Sequence, residues 1–87
     1  MNLTAEQINK TCEDLTGRAY RMAVNKMFME QDDSNLWPIR NRFNITQRAF
    51  SHARKFERDS GVELAGLEYC LFVEDDIGRI VNDNNNW

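Results

Sequence analysis

Apolar residues recur along this chain at three- and four-residue intervals, and polar clusters separate the recurrences. Ile8, Cys12 and Leu15 follow one another at i, i+4 and i+7, one face of a helix. Thr4-Ala5-Glu6-Gln7 stands just before them with the form of a capping box, in which Thr4 and Gln7 satisfy each other's backbone donors. The spacing predicts a first helix over about residues 5–16, ended by Gly17. A second helix is predicted over about 18–31, where Tyr20, Ala23, Val24, Met27 and Phe28 fill one broad arc. Met22 and Met29 fall on its opposite side, which gives this helix a second apolar strip and marks both methionines as candidate contacts for another molecule.

Gln31-Asp32-Asp33-Ser34-Asn35 reads as a polar loop, and Pro38 then suits the first residue of a short turn reaching Phe43. Asn44-Ile45-Thr46-Gln47 resembles another capping box, so a fresh helix is predicted over about 45–58. Its inner stripe is Ile45, Ala49, Ala53 and Phe56, with Phe50 beside it. Gln47, Arg48, Ser51, Arg54, Lys55 and Arg58 make up its outer face. Asp59-Ser60-Gly61 closes it, with Gly61 suited to a left-handed cap.

After Gly61 the pattern supports two readings. Ser60-Gly61-Val62-Glu63 can cap a helix carrying Leu64, Leu67 and Leu71, which would reach Val73 and be followed by a short helix from Asp76. Alternatively, the apolar run 69–73, the acidic triplet Glu74-Asp75-Asp76 and the segment 77–81 form a β-hairpin over about 69–82. Helix is preferred, although three acids at a helix C-terminus would oppose its dipole. The expected fold is therefore mainly α: three to four short helices in one domain, 1–81, with a polar tail, 82–87, ending in Trp87. The expected core is Leu15, Tyr20, Val24, Met27, Phe28, Phe50, Phe56, Leu64, Leu67 and Leu71.

Composition narrows the function. Eighty-seven residues suffice for one domain and bury only about 60% of the unfolded chain's surface, so a partner subunit would add needed burial. Cys12 and Cys70, the two cysteines, both sit in apolar patterns and read as reduced core thiols. With a single histidine, His52, and no clustered Cys and His, no metal site is expected. His52 reads as a half-buried side chain bonded to a carbonyl or a carboxylate. The four glycines are scattered and no Gly-x-Ser-x-Gly elbow occurs. No enzyme activity and no cofactor are expected. The polar start of the chain and the lack of a long apolar run predict a cytoplasmic, non-membrane protein.

Charge supplies the one pronounced signal. The net charge is −3, yet residues 38–56 hold five cations, Arg40, Arg42, Arg48, Arg54 and Lys55, and no carboxylate. Residues 57–87 hold eight acids against two bases. Such a block steers a partner before contact. Arg40, Arg42, Gln47, Arg48, Ser51, Arg54, Lys55 and Arg58 are thus candidate partner-binding residues, with Met22, Met29 and Trp37 as apolar anchors. The expected role is stoichiometric binding to another protein or to further copies of this chain, as in small phage or mobile-element regulators that inhibit a repressor or a host defence protein. The competing reading is a DNA-binding regulator using helix 45–58, with its cations on phosphates and Gln47 and Ser51 at base edges. The acidic whole, with a pI near 5.0, argues against that reading.

Overall fold

A computed structural model describes residues 3–31 and 39–83, and for 39–42 the backbone alone. Its helices are α1 (Ala5–Cys12), α2 (Gly17–Met29), α3 (Ile39–Ser60) and α4 (Leu67–Asp83). Each packs on two others: α1 on α2 and α4, and α3 on α2 and α4, closing a ring around one core. The small, mainly α bundle expected from the pattern is what forms.

The first helix starts as its sequence dictates. Gln7 N–H donates to Thr4 Oγ1 at 3.2 Å, and Thr4 N–H donates to Gln7 Oε1 at 2.8 Å. A second acceptor reinforces this end: Glu74 of α4 takes the Ala5 N–H at 2.7 Å, placing a carboxylate at the positive end of the α1 dipole. Thr4→Ala is expected to cost about 1 kcal/mol, read as a lower urea midpoint at unchanged slope. The helix stops at Cys12, earlier than expected, because the chain turns there and Leu15 N–H bonds back to Cys12 O at 2.9 Å. Leu15 consequently leaves the α1 stripe and is exposed, outside the core it was expected to join.

One unbroken helix replaces the expected turn and restart around Asn44. Thr46, fully buried, satisfies its hydroxyl on Phe43 O at 3.0 Å inside α3, so this segment caps no separate helix. At about 1.5 Å per residue, α3 runs roughly 33 Å. It ends as expected: Gly61 adopts φ +72°, Gly61 N–H bonds Glu57 O at 2.9 Å, and Ser60 Oγ donates to Phe56 O at 2.6 Å.

The next helix begins later than the capping pattern suggests. Ser60 is committed to α3, and both backbone groups of Leu64 are taken: its N–H by Glu57 Oε2 at 2.8 Å, its carbonyl by Arg21 Nη2 at 2.8 Å. Residues 61–65 form neither helix nor strand, Gly66 turns the chain at φ +56°, and α4 starts only at Leu67.

No hairpin forms over 69–82. α4 runs through the acidic triplet without a break, and Tyr69, Cys70, Val73, Asp76, Ile77 and Ile80 recur at helical spacing on its buried face. The acids do not act as breakers because two of them have partners: Glu74 takes the Ala5 N–H, and Asp76 accepts from His52 Nδ1 at 2.6 Å. They also lie in the middle of the helix, away from the terminus where the dipole would penalise them.

The core combines Ala5, Ile8 and Cys12 of α1 with Tyr20, Val24 and Phe28 of α2, Ile45, Ala49, Phe50 and Ala53 of α3, and the α4 stripe. Of the residues expected there, Tyr20, Val24, Phe28, Phe50 and Leu64 are buried and Met27 packs against them. Phe56, Leu67 and Leu71 are exposed to about the same degree as Leu15: Phe56 continues the stripe into the last turns of α3, and Leu67 and Leu71 sit off the buried face of α4.

Candidate docking surface

The inner stripe of α3 fixes what its other side presents. With Ile45, Ala49, Phe50 and Ala53 turned inward, the roughly 100° step per residue turns Gln47, Arg48, Ser51, Arg54, Lys55 and Arg58 outward within an arc of about 120°. All six are exposed. Among the described residues, Arg48, Arg54, Lys55 and Arg58 form no ion pair. The arc is flanked on one side by Phe43, 59% exposed, and on the other by His52 and Phe56, which turn toward α4.

Met22 of α2 is 61% exposed, and Met29 is half-buried against the core. The two predicted methionine anchors therefore differ in what they can offer a partner. Arg40 and Arg42 fall on the first turns of α3, and their side chains lie outside the described residues, as do Trp37 and Trp87.

Other charged groups near this helix are committed internally. Arg21 of α2 grips the Glu57 carboxylate through two nitrogens, at 2.8 and 2.5 Å, and stacks its guanidinium 4.7 Å from the Tyr69 ring centre. The hydrogen-bonded guanidinium holds the Glu57 carboxyl below the usual carboxylate range and raises Arg21 in turn. His52 bonds the buried Asp76, and Arg79 approaches that same carboxylate at 3.9 Å. Nothing in the local pattern signals these pairings, since Arg21 and Glu57 stand 36 positions apart.

Among the described residues, the thiols and phenols of the bundle interior are held by packing and hydrogen bonds. Cys12 Sγ lies 3.6 Å from Met27 Sδ, and Cys70 Sγ lies 3.2 Å from the Tyr20 hydroxyl, which donates to Asn9 Oδ1. Both cysteines are free and buried, and burial pushes both thiols up, away from the thiolate a nucleophile needs. The phenols of Tyr20 and Tyr69 are pushed up by the same cause. Among the described residues no group of three His, Cys, Asp or Glu is gathered to hold a metal ion. No described helix is long and apolar enough to cross a membrane.

A cleft of about 330 Å³ separates the α1–α2 connection from residues 63–66, with Glu13, Leu15, Tyr20, Arg21 and Glu63 on its walls. Its guanidinium is already spent on Glu57 and Leu64, and its other charged groups are the exposed Glu13 and Glu63. The α3 arc is thus a described surface where like charge and exposure coincide with no ion pair among the described residues. No protein-family model, no curated protein and no solved structure matches this chain.

Proposed function

We propose that this chain is a non-enzymatic binding protein that acts by stoichiometric docking of the α3 outer face onto an anionic surface of another protein. One observation carries the reading: Arg48, Arg54, Lys55 and Arg58 stand exposed on one helix face, with no ion pair among the described residues, in a chain whose net charge is −3. A net anionic chain with fourteen acids has carboxylates to spare, so leaving four cations on one face without them favours fast pairing with an external anionic partner. Exposed pairs within the chain would contribute only about 0–1 kcal/mol each, so folding loses little by leaving these cations free. Phe43, exposed beside the arc, supplies an apolar group of the kind a charged encounter needs in order to become a lasting contact. Small size, acidic balance and the absence of a catalytic motif fit a regulator of the phage or mobile-element kind, one that inhibits a repressor or a defence protein by occupying it.

Capture from the native host cell, read by mass spectrometry, tests this. The wild-type chain is expected to retain a defined protein that Arg54→Glu/Arg58→Glu loses at least tenfold, with capture weakening as salt rises. Equal capture by both chains overturns the reading. The rival outcome has its own signature: a shift of duplex DNA by the wild type whose affinity falls steeply with salt would make α3 a nucleic-acid face.

A further inference from the structure

We infer that Glu63 is a built-in competitor at the far end of the α3 face, its carboxylate sharing the depression that a partner's carboxylate would enter to reach Arg54 and Arg58. The inference rests on the reading above, that this face docks an anionic protein surface, and it names one subsite and the group that guards it. Arg54, Glu57, Arg58, Gly61, Val62 and Glu63 line one shallow surface depression between the end of α3 and the loop that follows. Two carboxylates belong to it. Glu57 is gripped by Arg21. Glu63 is exposed and forms no ion pair among the described residues, so its charge stands near Arg54 and Arg58 without being locked to either.

The fold fixes Glu63 at this place. Gly61, at φ +72°, turns the chain out of α3, and the Val62 N–H donates to Ser60 Oγ at 3.2 Å. Leu64, the next residue after Glu63, is held by both backbone groups, its N–H on Glu57 and its carbonyl on Arg21. The backbone on either side of Glu63 is therefore tied down, while its side chain is left to solvent. Glu63 also lines the cleft on the other side of this loop, where Arg21 feels its charge. Its carboxylate thus has positive company on both sides and can give up Arg54 and Arg58 to an incoming anion.

Such a charge has a calculable effect. One carboxylate several ångströms from an arginine in water lowers the affinity of another anion there about twofold at modest salt. It adds little to stability, because exposed charges contribute little to folding. The consequence is selectivity: a lone carboxylate gains little by displacing Glu63, whereas a surface bearing several acids also engages Arg48 and Lys55 and overcomes it. Asp59 plays a different part. It shares a depression with Lys55 and His52, on the side of α3 that turns toward α4, and so does not stand over Arg54 and Arg58.

Anisotropy of a fluorescein-labelled octaglutamate peptide, titrated with the intact chain at about 0.05 M salt, tests the inference. The wild type is expected to bind the peptide with a dissociation constant below about 1 mM. Glu63→Gln should tighten binding about twofold. Glu6→Gln makes the same change of net charge on the first turn of α1, a helix that does not pack on α3, and should tighten it far less. In an Arg54→Gln/Arg58→Gln chain the advantage of Glu63→Gln over Glu6→Gln should vanish, because its cause is gone. Circular dichroism confirms that each variant stays folded. Equal gains from Glu63→Gln and Glu6→Gln, a Glu63→Gln advantage that survives the loss of both arginines, or a wild type that leaves the peptide free at about 1 mM each overturn the inference. Its failure is separable from that of the binding function. A host protein lost on Arg54→Glu/Arg58→Glu but held equally by Glu63→Gln and wild type sinks the competitor alone, whereas the expected peptide series with no host protein captured sinks the docking of another protein alone.

Discussion

Ile8→Ala is expected to lower the unfolding free energy by about 3 kcal/mol, the largest single effect foreseen for this chain. Ile8 is completely buried at the centre of α1, a helix of eight residues that contributes three side chains to the core. So short a helix has almost no stability of its own and is held by packing and by its cap. Truncating its central side chain removes apolar burial and leaves a void between α1 and the helices on either side of it, α2 and α4. Domains of this size have roughly 4–13 kcal/mol in total, so the loss is a large share. The melting temperature should fall by about 10–20 °C. Val62→Ala is the control: Val62 lies exposed in the 61–66 loop, and its truncation should stay within about 0.5 kcal/mol of wild type. Urea titrations followed by circular dichroism check both, and an Ile8→Ala chain within 1 kcal/mol of wild type would mean that α1 is not anchored as described.

Local signals were legible and distant commitments were not. The Thr4 box, the α2 arc, the Gly61 cap and the outer arc of α3 each depend on residues within one or two turns of one another, so periodicity alone locates them. The misreadings share a different cause. Acids at 74–76 look like a turn until Ala5 and His52 are seen to take two of them, from 69 and 24 positions away. Residues 62–66 look like a first helical turn until Glu57 and Arg21 are seen to hold Leu64 by both backbone groups. Leu15, Phe56, Leu67 and Leu71 were assigned to the core on spacing, yet spacing gives a face and not its limits. Leu15 lies beyond the end of α1, Phe56 in the last turns of α3, and Leu67 and Leu71 off the buried face of α4. For the candidate surface, the sequence located the cations, and the fold added that Glu57, Glu74 and Asp76 are engaged elsewhere and that Phe43 is exposed beside the arc.

That engagement makes the Arg21–Glu57 pair the second large lever. Glu57 is 16% and Arg21 28% exposed at the side chain, so the pair is sheltered without being fully dry. The carboxylate accepts both guanidinium nitrogens and the Leu64 N–H, while the guanidinium also satisfies the Leu64 carbonyl and covers Tyr69. One ion pair thereby ties α2, α3, the 61–66 loop and the start of α4. Glu57→Gln keeps the shape, removes the charge and leaves Arg21 without its counter-ion. The expected loss near neutral pH is about 2–3 kcal/mol, below the figure for a fully buried pair because water still reaches Arg21. The pH dependence follows from the sign of the shift. Glu57 is held below its unfolded value, so the folded state releases this proton more readily. Its contribution is complete above the unfolded carboxyl range and is lost as pH falls through the lower folded value. The gap between wild type and Glu57→Gln should therefore be widest near neutrality and shrink steadily below about pH 4. A gap that stays constant on acidification would show that Glu57 acts through its shape, and the salt link would then not be what fixes residues 61–66 across the end of the bundle.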